Sequence, residues 1–210
     1  MYKQKVVLGV APTKRSFLSM EEAKRQKDKF MARIRAIKPE AVEIIDVDEL
    51  CENGIMWDTA KIPAVVEKFR RVGIDALFLP FCDFGEEQVV AQIAGAFKVP
   101  TLVWGARDER PNSDEVRGRD TQCGMFAATK VLRRYGVKYS YIWNCETESD
   151  DFAKGYENFI RVAAVLKALK NLRVAKIGER PVPFMSVMTN EANLINRIGI
   201  TTVPISPFAV

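Results

Sequence analysis

The sequence predicts an α/β protein built around a parallel five-stranded β-sheet. Strand-like and helix-like segments alternate five times between residues 5 and 171. The strand segments are apolar on both faces, which is typical of strands that are covered by helices on each side. Five units are too few for a closed eight-stranded barrel and favour an open, doubly wound, flavodoxin-like sheet with the strand order 2-1-3-4-5.

Apolar spacing assigns the type of each segment. The strands are short runs such as KVVLGV and DALFLP, and the helices repeat apolar residues every three or four positions. The predicted strands are 5–10, 41–47, 75–80, 101–104 and 139–143. The predicted helices are 19–37, 59–73, 86–98, 121–136 and 150–171.

Local signals mark the ends of the first two helices. Ser19 is the candidate N-cap of the first helix, and Glu22 stands three residues later, as in a capping box. Pro39 stops the same helix. Gly73 ends the second helix, since glycine readily adopts the left-handed conformation of a C-cap.

A second cycle of elements begins after residue 171. We expect a strand at 173–178, a loop and strand-like run at 179–187, a helix at 189–199 and a strand at 200–206. The sequence therefore predicts two domains. An N-terminal Rossmann-like domain spans 1–171, and 172–210 is the beginning of a second α/β domain that looks truncated.

The composition excludes several classes of active site. The 210 residues include no histidine, so neither a Ser-His-Asp triad nor a His-ligated zinc site can form within the chain. No two of the 4 cysteines are spaced as C-x-x-C, which argues against zinc-knuckle and thioredoxin-like motifs. Any general base must be an Asp, Glu, Lys, Tyr or Cys side chain.

Charge and hydropathy predict the compartment and the partners. The net charge of +5 is mild, and the basic run at 24–38 has its apolar residues at helical spacing, so we expect no nucleic-acid partner. No apolar run approaches the roughly 20 residues of a membrane span, and the first residues lack the apolar region of a signal peptide. We therefore expect a cytoplasmic protein without membrane association.

The loops beyond the strand ends form the candidate ligand site, because ligands of doubly wound sheets lie at the carboxyl ends of the strands. No G-x-G-x-x-G follows the first strand, which argues against a dinucleotide. The segment GARDERPNSDEVRGRD after the fourth strand is rich in arginine. The charged and aromatic residues of these loops are Lys14, Arg15, Phe81, Asp83, Phe84, Trp104, Arg107, Arg110 and Arg119.

Two interpretations of this edge remain open. In the first, it forms a sugar or polyol pocket in which aromatic rings stack on the sugar while Arg and Asp bond its hydroxyls. In the second, the long loop is solvated and its arginines pair with neighbouring acids. Those acids are Asp108, Glu109, Asp114, Glu115 and Asp120.

In the first interpretation, Trp104 and Arg107 are ordered and line a cleft together with Arg15 and Asp83. Both residues stand close to the end of the fourth strand, on the ligand side of the sheet. The residues nearer the loop tip, Asn112 to Val116, are expected to be more mobile or to touch a neighbouring subunit.

Four segments together resemble the N-terminal part of the L-fucose isomerase and L-arabinose isomerase family. They are GVAPTKRS, LPFCDFGEEQ, VWGARDERP and RDTQCGMFAATKVLRRYG. The match follows the order of the chain and is nearest to fucose-isomerase-like relatives. The segment RVAKIGERPVPF resembles the first strand and loop of the second domain of that family.

The resemblance implies a role in aldose–ketose isomerisation. Proteins of this family are much longer and use a divalent metal, usually Mn2+, which polarises sugar oxygens while a carboxylate moves a proton through an enediol. The metal ligands lie in later domains, so none is expected in this chain. The family forms homo-oligomers in which the first domain of one subunit completes the active site of its neighbour.

The resemblance therefore implies substrate-side residues and no catalytic or metal-binding ones. The substrate-binding candidates are Arg15, Phe81, Asp83, Trp104 and Arg107. Cys82 stands where the family carries a tryptophan, which leaves the identity of the sugar open. The alternative is a free-standing, non-catalytic α/β module that binds a small polyol or a protein partner.

Overall fold

The computed structural model describes residues 5–111, 118–170 and 172–209, and it confirms the predicted five-stranded sheet. The strands of this sheet are β1 (Val6–Val10), β2 (Val42–Ile45), β3 (Ala76–Phe81), β4 (Thr101–Gly105) and β5 (Ser140–Tyr141). The helices around it are α1 (Met20–Ala36), α2 (Ile62–Val72), α3 (Glu87–Gly95), α4 (Thr121–Arg134) and α5 (Asp150–Leu169). All neighbouring strands run parallel in the order β2-β1-β3-β4-β5, as in a flavodoxin-like fold.

The side chains of the central strands are buried on both faces of the sheet because consecutive residues of a strand point to opposite sides. Leu77 and Leu79 of β3 pack in one core with apolar residues of α2, α3 and α4. Phe78, between them, contacts the ring of Tyr156 in α5, with 6.2 Å between ring centroids. This double burial explains why β3 is apolar throughout.

Aromatic side chains fill the core between the sheet, α1 and α5. The ring of Trp104 in β4 lies 6.4 Å from that of Phe30 in α1 and 4.3 Å from that of Phe152 in α5. All three side chains are buried. Such tilted and edge-to-face pairs stabilise the core beyond the area that they bury.

The observed ends of the first two helices follow the sequence signals. The Ser19 hydroxyl accepts a hydrogen bond from the backbone N–H of Glu22 at 3.2 Å. Gly73 ends α2 with φ +74°, in the left-handed region. These local signals act through backbone groups that a helix end leaves unpaired.

Two predicted elements differ from the structure. The strand predicted at 139–143 is reduced to the two residues of β5, which lies at the edge of the sheet and pairs only with β4. The strand-like run predicted within 179–187 is wrong, because a 3-10 helix at Met185–Val187 follows a loop there. Pro181 and Pro183 lack the N–H groups that a strand would need.

The chain divides into two compact units, Met1–Ala163 and Ala164–Val210. In the second unit β6 (Arg173–Ile177) and β7 (Thr201–Ile205) pair in parallel, and α6 (Glu191–Ile198) connects them. This βαβ unit has the two strands and the helix that are expected after residue 171. The assignment of 172–210 as the start of a truncated domain stays a prediction.

We predict that Gly124→Ala destabilises the protein. A Cβ atom at Gly124 would lie 1.7 Å from the backbone oxygen of Phe84, so α4 would have to move away from the loop after β3. Overpacking of this kind costs about 1–3 kcal/mol, although alanine is the better helix former by about 1 kcal/mol. Urea unfolding followed by circular dichroism measures the change.

The matched control for this change is Gly118→Ala. A Cβ atom at Gly118 meets no atom within 4 Å, so its free energy of unfolding should stay within about 0.5 kcal/mol of the wild type. A Gly124→Ala protein that is as stable as this control, or more stable, would contradict the close packing of α4 on the β3 loop.

Candidate functional site at the carboxyl edge of the sheet

Backbone hydrogen bonds join the loops that follow β1 and β3. The N–H of Thr13 donates to the backbone oxygen of Pro80 at 2.9 Å, and the N–H of Cys82 donates to the backbone oxygen of Thr13 at 2.9 Å. The Thr13 hydroxyl accepts from the N–H of Glu86, just before α3, at 3.0 Å. The strand order reverses between β1 and β3, which is where doubly wound sheets bind their ligands.

Asp83 holds these two loops together. Its Oδ1 accepts hydrogen bonds from the backbone N–H of Arg15 at 2.7 Å and from that of Gly85 at 2.9 Å. Its Oδ2 is buried and has no hydrogen-bond partner among the described residues. Burial raises the pKa of Asp83, and the two backbone donors and the nearby charges of Lys14 and Arg15 only partly offset it. Asp83 is therefore a loop clamp with one unused acceptor.

Arg15 is held in one orientation on the surface of this edge. Its Nη1 lies 3.0 Å from Oε1 of Glu86, and its Nη2 lies 3.5 Å from Oε1 of Glu87. The guanidinium lies over the ring of Phe84, 4.6 Å from the centroid. Its side chain retains 18% of its exposure, so some of its N–H groups can reach a bound molecule.

Lys14 stabilises the loop after β1 from inside. The side chain is buried, and its Nζ donates to the backbone oxygens of Arg15 at 2.6 Å and Ser16 at 3.3 Å. The same ammonium lies 5.9 Å from the ring centroid of Trp57. These contacts assign Lys14 a structural role in shaping the loop.

The arginine-rich loop contains an ion pair between the buried Arg119 and the exposed Glu109. Nε of Arg119 donates to Oε2 of Glu109 at 2.9 Å, and its Nη2 donates to the backbone oxygen of Arg107 at 2.8 Å. Glu109 also lies 3.4 Å from Arg25 and Gln26 of α1. Arg119 therefore follows the second interpretation of the sequence, in which the loop arginines pair with neighbouring acids.

Asp108 of the same loop caps the N-terminus of α4. It accepts hydrogen bonds from the backbone N–H and the hydroxyl of Thr121, both at 3.0 Å. Asp120, the residue before the helix, makes no side-chain cap. The N-terminal cap of α4 therefore comes from Asp108, twelve residues before Asp120, which is the usual N-cap position. The carboxylate lies at the positive end of the helix dipole.

The structure brings together only two of the five predicted substrate-binding residues. Arg15 and Asp83 meet between β1 and β3. Phe81 is buried, with its ring against Gly85, and Trp104 is buried on the side of α1 and α5. Arg107 is exposed near the end of β5, where its backbone N–H donates to the backbone oxygen of Cys145 at 3.0 Å.

The substrate contacts of all five residues stay predictions. Cys82, the position where the family resemblance places a tryptophan, is completely buried, so its thiol faces the core. The expectation for Asn112 to Val116 concerns residues outside those that the structure describes, and Arg117 lies there as well.

A cavity beside Trp57 was missed by the sequence analysis. It lies in the loop after β2 and has a volume of about 240 Å3. Its lining residues are Leu50, Cys51, Glu52, Ile55, Met56, Trp57, Asp58 and Lys61. The sequence signal was the segment GIMWDTA, which places a tryptophan and an aspartate beyond the end of a strand, where a ligand is expected.

An aromatic groove of about 400 Å3 lies along the β5 edge of the sheet. Its most exposed rings are Phe126 (66%), Tyr141 (58%) and Trp143 (76%). Gln122, Met125, Thr129, Arg133, Tyr139, Ile142 and Asn144 complete its lining. Exposed clusters of large aromatic residues mark interaction surfaces in soluble proteins.

The described part of the chain offers neither a clustered metal site nor a membrane span. Among these residues no group of three His, Cys, Asp or Glu side chains is placed to hold a metal ion. None of the helices in the same residues is long and apolar enough to cross a membrane.

The profile of one protein family matches most of the chain. The family is described as the N-terminal domain of fucose/sulfoquinovose isomerase, and the match covers residues 9–170. Sulfoquinovose isomerases from Priestia aryabhattai and Priestia megaterium are each 23% identical over 155 residues, which is 72% of this chain and 33% of the relative. The chain thus spans about a third of the length of these curated relatives.

Solved structures show more distant likenesses. An azoreductase from Bacillus anthracis is 12% identical, with a TM-score of 0.34 and coverage of 77% of this chain and 100% of that one. An ABC transporter solute-binding protein from Bacillus halodurans, solved with myo-inositol, is 13% identical, with a TM-score of 0.34 and coverage of 97% and 95%. At these TM-scores neither likeness supports a conclusion about this chain.

We predict that the buried carboxyl of Asp83 weakens the folded state as the pH rises. Because its pKa is raised above the ordinary 3.8, the folded protein binds this proton more tightly than the unfolded chain does. Its contribution to stability is thus present at low pH and is lost as the pH rises from about 3.8 through the raised pKa. Asp83→Asn removes the titration and keeps an acceptor for the two backbone N–H groups.

The measurement is the free energy of unfolding of both proteins by urea, from pH 3 to pH 7. The wild-type value minus the Asp83→Asn value should fall across this range. The subtraction removes the contributions of the other carboxyl groups, which the two proteins share. A difference that stays flat or rises with pH would mean that the Asp83 pKa is not raised.

We predict opposite roles for two arginines of the same loop. Arg119→Ala should lower the free energy of unfolding by about 1–3 kcal/mol, because it removes a buried side chain whose Nη2 donates to the Arg107 backbone oxygen. Arg107→Ala should change stability by less than about 0.5 kcal/mol, since its side chain is exposed. Urea unfolding of the two variants measures both; equal effects would contradict this division.

Proposed function

The chain belongs to the family of the fucose/sulfoquinovose isomerase N-terminal domain, and on that premise we propose that it supplies the substrate-side part of an aldose–ketose isomerase. The observation that carries this proposal is the cluster of Arg15, Asp83 and Phe84 at the point where the strand order reverses. A cation, an unused carboxylate acceptor and an aromatic ring suit the hydroxyls and apolar face of a sugar.

Each residue of the cluster has a defined task in this proposal. The Arg15 guanidinium donates hydrogen bonds to sugar hydroxyls, and its pairing with Glu86 and Glu87 fixes the direction of those donors. Asp83 holds the Arg15 backbone in place, and its Oδ2 accepts a hydrogen bond from a sugar hydroxyl. These contacts position the sugar and leave proton transfer at carbon to other groups.

The proposal of a divalent metal ion rests on the family resemblance alone. A divalent cation such as Mn2+ polarises the oxygens of the reacting carbons when it is bound. The family resemblance implies that its ligands lie outside this chain, and we adopt that assignment; the described side chains include no group of three suited to hold it. We therefore propose that the chain by itself lacks isomerase activity.

We also propose that the working protein is a cytoplasmic homo-oligomer in which this domain faces a neighbouring subunit. The aromatic groove along β5 supports that part, because interfaces are enriched in exposed Tyr, Trp, Phe, Met and Arg side chains. The same groove also suits the second candidate function, a non-catalytic module that binds a protein partner. The isomerase role needs the Arg15 cluster, whereas a module that binds a protein partner does not.

The proposal predicts weak sugar binding that depends on Arg15. Isothermal titration of the 210-residue chain with neutral aldoses should give millimolar binding, and Arg15→Gln should weaken it about ten-fold, equal to about 1.4 kcal/mol. Arg134→Gln, a change at an exposed position at the end of α4, is the matched control and should leave binding unchanged. Equal binding by both variants would contradict a substrate-side role for Arg15.

An activity assay tests the other half of the proposal. The chain should form no ketose above background from aldopentoses or deoxyhexoses in the presence of Mn2+. Turnover by the 210-residue chain, removed by a chelator, would show that its own side chains complete a catalytic site.

A further inference from the structure

The cavity beside Trp57, named here the Trp57 cavity, is lined by both apolar and polar side chains. The apolar ones are Leu50, Cys51, Ile55 and Met56, and the polar ones are Glu52, Asp58 and Lys61. Sγ of Cys51 lies 3.0 Å from Sδ of Met56, and burial raises the pKa of Cys51 to about 11. The thiol is therefore neutral near pH 7 and acts as a small apolar group.

We propose that the Trp57 cavity binds one neutral monosaccharide or acyclic polyol, with the sugar's C–H face against Trp57 and its hydroxyls toward Glu52, Asp58 and Lys61. The proposal relies on the proposed function only for the class of ligand. It assigns that ligand to residues of the β2–α2 loop, outside the Arg15 cluster and outside the five predicted substrate-binding residues.

The backbone around Trp57 is fixed before any ligand arrives. The N–H of Met56 donates to the backbone oxygen of Pro12 at 2.7 Å, and the N–H of Lys14 donates to the backbone oxygen of Met56 at 3.1 Å. The buried Lys14 ammonium stands over the ring at 5.9 Å from its centroid. A ring held in this way binds without a large loss of side-chain entropy.

The polar lining residues suit hydroxyl groups better than an anion. Asp58 uses Oδ1 to accept the N–H of Ala60 at 2.9 Å, which orients its carboxylate. The charges of Glu52 and Asp58 are balanced by those of Lys61 and of Lys14 over the Trp57 ring, so the cavity has no excess positive charge. Its two carboxylates accept hydrogen bonds from hydroxyl groups, whereas they repel a carboxylated, phosphorylated or sulfonated sugar.

The size of the cavity suits a small ligand. Its volume of about 240 Å3 is below the roughly 300–1,000 Å3 of pockets for drug-sized molecules. A pentose, a hexose or an open-chain polyol is a molecule of the appropriate class. The mixture of one aromatic ring, aliphatic side chains and a few polar groups is the usual lining of such pockets.

The cavity also lies at the ligand side of the sheet. Residues Leu50 to Lys61 follow β2, next to β1 in the strand order, so they belong to the same carboxyl edge as Arg15. Thr13 pairs with Met56 on one side and with Phe81 on the other. The loop after β1 therefore separates the Trp57 cavity from the Arg15 cluster while it holds both in place.

The test titrates the 210-residue chain with L-arabinose, L-fucose and galactitol, and with D-glucuronate as the anionic probe. Heat of binding and tryptophan fluorescence are both recorded. Trp57→Ala should weaken binding of the neutral probes at least ten-fold, while Trp57→Phe, which keeps a ring, should weaken it less. D-Glucuronate should bind more weakly than the neutral probes.

Two further variants make the outcome specific. Phe208→Ala removes a fully exposed ring outside the cavity and should leave binding unchanged. Glu52→Gln changes one exposed polar group of the cavity and should weaken binding without unfolding the protein. If thermal unfolding shows that Trp57→Ala does not fold, Trp57→Phe and Glu52→Gln carry the test alone.

The outcomes separate this inference from the proposed function. Binding that is weakened by Arg15→Gln but not by the cavity variants overturns the inference and leaves the proposed function standing. Binding that is weakened by the cavity variants but not by Arg15→Gln supports the inference and removes Arg15 from the proposal. Tighter binding of D-glucuronate overturns the inference, and no binding of any probe overturns both.

Discussion

The backbone pairing of Thr13 on two sides fixes the geometry of three neighbouring loops at the carboxyl edge of the sheet. Thr13 stands just beyond β1 and forms bridges to Met56, in the loop after β2, and to Phe81, at the end of β3. Its hydroxyl also accepts from the N–H of Glu86, at the start of α3. One residue thus ties three loops together, and both the Arg15 cluster and the Trp57 cavity depend on it.

Asp83 loses hydration energy through burial, and its hydrogen bonds to two loops partly offset that loss. A buried carboxylate loses its hydration, and among the described residues only its Oδ1 regains hydrogen bonds. Two loop backbones are fixed in return, so removing the carboxylate would leave the N–H groups of Arg15 and Gly85 unpaired. The unpaired Oδ2 is thus a consequence of using the other oxygen to hold both loops.

The sequence was sufficient for the fold but only partly for the site. Strand order follows from apolar runs and helix spacing, which are local signals with a global consequence. Whether a side chain is buried depends on the elements that pack against it, which the local sequence does not show. Trp104 and Phe81 were site candidates because they stand at the ends of strands, but both side chains point into the core. Arg119 and Arg107 are indistinguishable by spacing, and only the position of Glu109 separates them. Trp57 was missed because the end of β2 was not considered.

The distribution of charge at this edge bears on what it can bind. Arg119 is neutralised by Glu109, Arg15 by Glu86 and Glu87, and Lys14 donates to carbonyl oxygens of its own loop. Arg119 and Arg15 are thus already paired with carboxylates, whereas the partners of Lys14 are neutral carbonyl oxygens and Arg107 is exposed at the same edge. Arg15 lies beside Glu86 and Glu87, and these carboxylates compete with any anionic ligand for its guanidinium. An anion bound at Arg15 would therefore have to displace at least one of these ion pairs first.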